Sequence, residues 1–169
     1  MAAVKAVTEV EAKGSGFLPT GEPVILYERH IMRRLLKEKG ISVEGLPVDL
    51  VNSSAGGYGK YSKQHEKLQR ACLIDRECAL QSCSWGLFQV MGFHWRPLGY
   101  KSIQEFINAQ YKSEEAQLDT FVRFIKNDQL LLEALKMKDW RTFARIYNGP
   151  AYAKNQYDRK LAAAYAKHK

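Results

Sequence analysis

From residue 102 to the end, signals that start a helix recur at short intervals, and no other feature restricts the fold of this chain so far. Ser102-Ile103-Gln104-Glu105 is a capping box, in which a hydroxyl and a carboxylate satisfy backbone N–H groups of the first turn. Ser113 followed by Glu114 and Glu115 puts negative charge at the positive end of a helix dipole, and Leu118, Phe121, Val122 and Ile125 then fall on one face. Asp139 opens another helix with Trp140, Phe143, Ala144 and Tyr147 on one side. A last helix, from about Ala151, carries Tyr157, Leu161 and Tyr165 at four-residue steps.

Upstream the pattern is looser. Ala3 to Val10 is apolar at helical spacing, Glu28 to Lys39 reads as a basic helix stopped by Gly40, and Gln64 to Ser82 reads as one long helix. Val24-Ile25-Leu26-Tyr27 is a short β-prone run. Residues 41–61 break into turns around Gly56-Gly57-Tyr58-Gly59, and a loop of that length in a compact domain usually lines a site. The fold class is mainly α, with at most a small sheet near residues 21 to 27. At 169 residues the chain fits a single domain, 1–169, able to bury roughly two thirds of its unfolded surface.

Charge and cysteine usage narrow the partners. The net charge of +8 favours a polyanion such as a nucleic acid, an anionic membrane surface or an anionic wall polymer. From Pro150 to Lys169 there are five basic residues (Lys154, Arg159, Lys160, Lys167, Lys169) against Asp158, so that end is cationic. The basic residues follow no nucleic-acid motif, which argues against that class. Cys72, Cys78 and Cys83 are odd in number. On a helix Cys72 and Cys78 would sit about 240° apart, so reduced thiols are expected. No His or Cys spacing matches a zinc site, and neither metal nor cofactor is expected. No stretch reaches the roughly 18 apolar residues of a membrane span, and no signal peptide is expected.

Three separated segments each join a polar group to a glycine. Val10-Glu11-Ala12 runs into Gly14-Ser15-Gly16-Phe17, where an apolar run behind a carboxylate and glycines ahead of it can partly dry an acid and leave it protonated near neutral pH. The alternative for Glu11 is an exposed glutamate at a helix end. Ser84-Trp85-Gly86-Leu87-Phe88-Gln89 sets one amide in an apolar stretch, where Gln89 either makes a structural hydrogen bond or holds a substrate acetamide. Tyr147-Asn148-Gly149-Pro150 ends a helix, a setting in which Asn and Gly are ordinary stop residues.

In this order the three segments resemble the lytic transglycosylase and goose-type lysozyme superfamily. With Gly16-Phe17-Leu18-Pro19, Ile25-Leu26-Tyr27-Glu28-Arg29-His30 and Gly56-Gly57-Tyr58 added, the chain resembles more closely the N-acetylmuramidase domains of phage and prophage endolysins, particularly from phages of Gram-negative hosts. Ala12 and Phe88 stand where that superfamily usually has Ser and Met. The resemblance implies a lysozyme-like glycoside hydrolase that cleaves the β-1,4 bond between N-acetylmuramic acid and N-acetylglucosamine in peptidoglycan. Glu11 would be the general acid and Glu28 a second carboxylate, serving as base or as a stabiliser of positive charge. The alternative for Glu28 is an ion pair with Arg29 or a neighbouring arginine.

Tyr58, Ser84, Trp85, Gln89, Tyr147 and Asn148 would line the cleft, aromatic faces meeting sugar C–H surfaces and amides meeting acetamido groups. For Trp85 and Tyr147, core packing stands beside that role. His30 reads as a structural hydrogen-bonding residue, and Asp49 and Asp75 as surface or capping acids. The expected partners are peptidoglycan glycan strands and, through the basic C-terminal helix, an anionic outer-membrane surface. The chain would act as a monomer, made soluble in the host cytoplasm and reaching the periplasmic wall through a separate pore. Two rival readings are a lytic transglycosylase leaving 1,6-anhydromuramic ends and a cationic wall- or membrane-binding module without turnover.

Overall fold

A computed structural model describes residues 1–12 and 14–169. The elements run α1 (Ala2–Glu11), β1 (Ile25–Tyr27), α2 (Arg29–Glu38), α3 (Gln64–Cys72), α4 (Arg76–Gln81), β2 (Cys83–Trp85), β3 (Val90–Met91), α5 (Ile103–Lys112), α6 (Glu114–Asn127), α7 (Gln129–Met137), α8 (Trp140–Tyr147) and α9 (Tyr157–His168). Short 3₁₀ turns cover Tyr61–Lys63, Gly92–His94 and Pro150–Asn155. The mainly α reading holds. Two compact units divide the chain: Met1–Ser15 with Phe121–Lys169, and Gly16–Thr120.

In the first unit α1 packs on α9, and α8 packs on both α7 and α9. Ala6, Val7 and Val10 of α1 are buried, as are Leu131, Phe143, Ala144, Leu161 and Ala164 from the later helices. Asp128 and Asp139 cap α7 and α8, accepting hydrogen bonds from Leu131 N at 2.9 Å and Thr142 N at 3.1 Å. The last helix begins at Tyr157 and not near Ala151, because Gln156 takes a left-handed conformation (φ 52°) that separates it from the preceding 3₁₀ turn. Lys167 and His168 reach Glu9 of α1 at 3.0 and 2.6 Å, which neutralises part of the cationic end locally.

Leu161 is fully buried, so Leu161→Ala should cost about 2–5 kcal/mol, read as a lower denaturant midpoint at unchanged slope. Deleting the chain after Asn155 would remove this residue together with the charges. Loss of function in such a truncation therefore reports folding before it reports a membrane surface.

The second unit is built on an antiparallel sheet of order β1-β2-β3, in which Ile25 pairs with Trp85 and Ser84 with Met91. Sequence reasoning found only the first strand. The other two, three and two residues long, are too short for an alternation to show. The expected helix from Gln64 to Ser82 is broken into α3 and α4 at Leu73-Ile74-Asp75. Asp75 adopts extended backbone (φ −158°, ψ 114°) and its side chain caps α4 by accepting from Cys78 N at 2.9 Å.

Burial alone would raise the Asp75 carboxyl, but the hydrogen bonds from Lys39 and from Cys78 N outweigh it and hold it below the usual carboxylate range. A depressed folded value stabilises the native state fully above the unfolded value near pH 4 and loses that contribution as pH falls through the lower folded value. Asp75→Ala should therefore destabilise by about 0.5–2 kcal/mol at pH 7. The gap from wild type should close in acid, as urea titrations at pH 7 and pH 3 would show.

A polar tie runs through the core of this unit. Gln117 of α6 accepts from Leu87 N at 2.8 Å and donates to Gln110 O at 2.9 Å. A Cβ on Gly86, itself at φ 72°, would lie 2.6 Å from the Gln117 side chain, and one on Gly16 would lie 2.0 Å from it. Both glycines are therefore needed for the amide to reach the backbone of the β2–β3 turn. Cys72, Cys78 and Cys83 are free thiols. Burial pushes Cys83 well up, and burial with the adjacent Asp75 carboxylate takes Cys78 up to about 12.

Candidate active site

The first unit holds Glu11, Tyr147 and Asn148 together. Glu11 is the last residue of α1 and is half-buried, while Tyr147 and Asn148 end α8. Asn148 Nδ2 donates to Glu11 Oε2 at 3.1 Å, across 137 residues of sequence. Tyr147 is packed among Phe121, Phe124 and Phe143, its ring centroid 5.3, 6.3 and 5.9 Å from theirs. Burial first, and the Glu11 charge second, raise its phenol far above the ordinary tyrosine range, so it stays a neutral O–H beside the carboxyl. Of the two roles its sequence setting left open, cleft lining and core packing, these ring contacts are those of packing.

The second unit gathers Glu28, Tyr58 and His30. Glu28 is the N-cap residue of α2, fixed by its own N–H donating to Ser82 O at 2.9 Å. Its carboxylate accepts from the Tyr58 hydroxyl, 3.1 Å from each oxygen, and His30 Nδ1 lies 3.3 Å from Oε2. Burial, and then the hydrogen bond to Glu28, raise the Tyr58 phenol. Arg29, offered by the sequence as an ion-pair partner of Glu28, turns instead to carbonyls of the following loop: Ser54 O at 3.0 Å, Ala55 O at 3.3 Å and Val48 O at 3.4 Å.

The loop carrying Tyr58 is braced by residues that sequence reasoning missed. Gln64, fully buried at the start of α3, donates to Tyr58 O at 2.7 Å and accepts from Tyr27 N at 3.0 Å, joining the loop to β1. Lys67 Nζ donates to Gly57 O at 2.6 Å and Tyr58 O at 3.1 Å, and burial lowers its pKa. The only sequence signal for Gln64 was an amide one helical turn before Leu68 on an apolar face. A buried amide in that position must find partners.

Ser84 and Gln89 pair with each other, the Ser84 hydroxyl donating to Gln89 Oε1 at 2.7 Å. Gln89 Nε2 donates to Gly86 O at 2.8 Å and Val24 O at 3.2 Å, which uses both amide hydrogens within the protein. Gln89 therefore shapes the turn, its backbone held at φ 51°. Of the two roles left open for Trp85, cleft lining and core packing, the structure takes the second: it is 1% exposed, and its indole N–H donates to Leu80 O at 3.0 Å. A ring so enclosed packs the core and has no face for a sugar. Asp49 pairs with Arg70 at 2.7 Å and Asp75 caps α4, as their settings suggested. Among the described residues, no three His, Cys, Asp or Glu side chains cluster to hold a metal ion.

These clusters sit in a fold with known relatives. No curated protein matches the chain. The crystal structure of a Burkholderia AP3 phage endolysin is similar to it at 50% identity and a TM-score of 0.94, the match covering 99% of this chain and 64% of that one. The chain thus spans less than two thirds of the length of that endolysin. The motifs around Glu11, Glu28, Gln89 and Asn148 fall within a match to the muramidase family, described as N-acetylmuramidase, that runs over residues 1–169, and the chain belongs to that family.

Proposed function

We propose that the protein is a peptidoglycan hydrolase that cleaves the β-1,4 bond between N-acetylmuramic acid and N-acetylglucosamine, with Glu11 as the general acid. The observation that carries this reading is the hydrogen bond from Asn148 to Glu11, which fixes one oxygen of a half-buried carboxyl at a helix end. The membership of the chain in the N-acetylmuramidase family supports the substrate.

In the reaction Glu11 protonates the glycosidic oxygen as the C–O bond lengthens and the muramic ring takes on oxocarbenium character. Glu28, oriented by Tyr58, is the second carboxylate, acting on a water or on the developing positive charge. The hydroxyl from water ends on the muramic C1 and its proton on the enzyme. The product ends distinguish this from the transglycosylase route, in which the sugar's own 6-hydroxyl attacks and no water is consumed.

Mass spectrometry of peptidoglycan digested by wild type tests the reading. Muramic ends reducible by borohydride support hydrolysis. Anhydromuramic ends, or N-acetylglucosamine reducing ends, overturn it.

A further inference from the structure

The second unit carries a groove of about 420 Å³ that none of the roles above uses. Such a volume is in the range of small-ligand sites. Its floor is apolar, formed by Leu68, Leu80 and Ile107 over the buried Trp85 ring. Along β2 successive side chains point to opposite faces, so Trp85 underlies the groove while Ser84, bonded to Gln89, lies on the other side of the sheet. The groove is thus distinct from the turn that Gln89 shapes.

Its walls are two helices read in opposite directions. At one end Glu22 faces His65, with Nδ1 3.7 Å from Oε1, while the His65 and Tyr111 rings each stand 6.4 Å from Trp85. His65 Nε2 lies 2.7 Å from Pro23 O, so that nitrogen carries the hydrogen and the ring is fixed. At the other end the Arg76 guanidinium donates to Gln104 Oε1, and Gln104 Nε2 in turn donates to Asn108 Oδ1 at 2.8 Å. Among the described residues no carboxylate lies within 4.0 Å of Arg76, leaving a held guanidinium with charge to offer. The Tyr111 ring is 45% exposed. Burial, and the charge of Glu22, raise its phenol, so it remains a donor.

Groove length follows from the helix rise. His65 to Cys72 along α3 covers about 10 Å, and an extended peptide advances about 3.4 Å per residue, so the space between the acidic and basic ends suits roughly three residues. Amides on both walls, Gln69 and Asn108, match peptide groups, and the floor matches small apolar side chains.

We propose that this groove binds the stem peptide of peptidoglycan, with a peptide carboxylate at Arg76 and a free amino group at Glu22. The proposal rests on the peptidoglycan reading above and adds a second recognition element to it. It makes the groove a substrate-holding site apart from the reacting bond.

The test titrates the stem tetrapeptide L-alanyl-γ-D-glutamyl-meso-diaminopimelyl-D-alanine into the ¹⁵N-labelled full chain. Perturbations should centre on the backbone amides of His65, Arg76, Asn108 and Tyr111, and Arg76→Gln or Asn108→Asp should weaken binding at least tenfold. Perturbations centred elsewhere in the wild type, or the same perturbations from chitotriose, would overturn it. So would unchanged affinity in both folded variants.

Kinetics separate this from the parent reading. Both variants should raise KM on intact peptidoglycan at retained kcat and match wild type on glycan strands stripped of peptide by an amidase. A wild type that cuts neither substrate would refute the hydrolase reading while leaving the peptide titration to stand or fall alone.

Discussion

Glu11→Gln should leave the protein folded and reduce turnover of purified peptidoglycan by about 10²- to 10⁴-fold, the range that a positioned proton donor contributes. Glutamine keeps the side-chain length and an oxygen to accept from Asn148 Nδ2, so the 3.1 Å contact survives and only the transferable proton is removed. Asn148→Ala tests the same contact from the other side. It leaves the acid in place but removes this hydrogen bond, and a smaller loss, about tenfold, is expected from misorientation alone. Turbidity loss of sacculi, with circular dichroism as the folding control, reads both. Full activity in Glu11→Gln would remove this residue from the chemistry.

The second large effect is at Glu28. Glu28→Gln should lower kcat by a factor of about 10² or more with little change in KM, because charge stabilisation and base action are realised in the transition state. Tyr58→Phe removes the hydroxyl that lies 3.1 Å from both Glu28 oxygens but leaves the carboxylate, so its loss should be smaller. If Glu28→Gln retains full activity, Glu28 is a structural N-cap residue and the enzyme works with one acid.

Local sequence chemistry made α5, α6 and α8 legible, but not α7, whose cap Asp128 went unread. Ser102, Ser113 and Asp139 each accept a hydrogen bond from a backbone N–H in the first turn, as cap residues should. The break between α3 and α4 was missed although Asp75 is a cap residue of the same kind, because the apolar positions on either side read as one continuous stripe. Glu11 with Asn148 and Glu28 with Tyr58 lie 137 and 30 residues apart, and no periodicity encodes such pairings. They were reachable only through the resemblance of whole motifs. Trp85 was left between two roles for a related reason: an apolar run with one amide reads alike whether its aromatic faces a cleft or a core, and only the pairing of β2 with β1 decides it.

The first unit joins α1 to α9, with residues of the second unit made in between. On a ribosome α1 emerges before α9, yet its apolar face, Ala6, Val7 and Val10, lacks its α9 surface until that helix follows. At about 5–20 residues per second that interval is of order ten seconds to half a minute. Glu11 can therefore meet Asn148 only once α8 has been made.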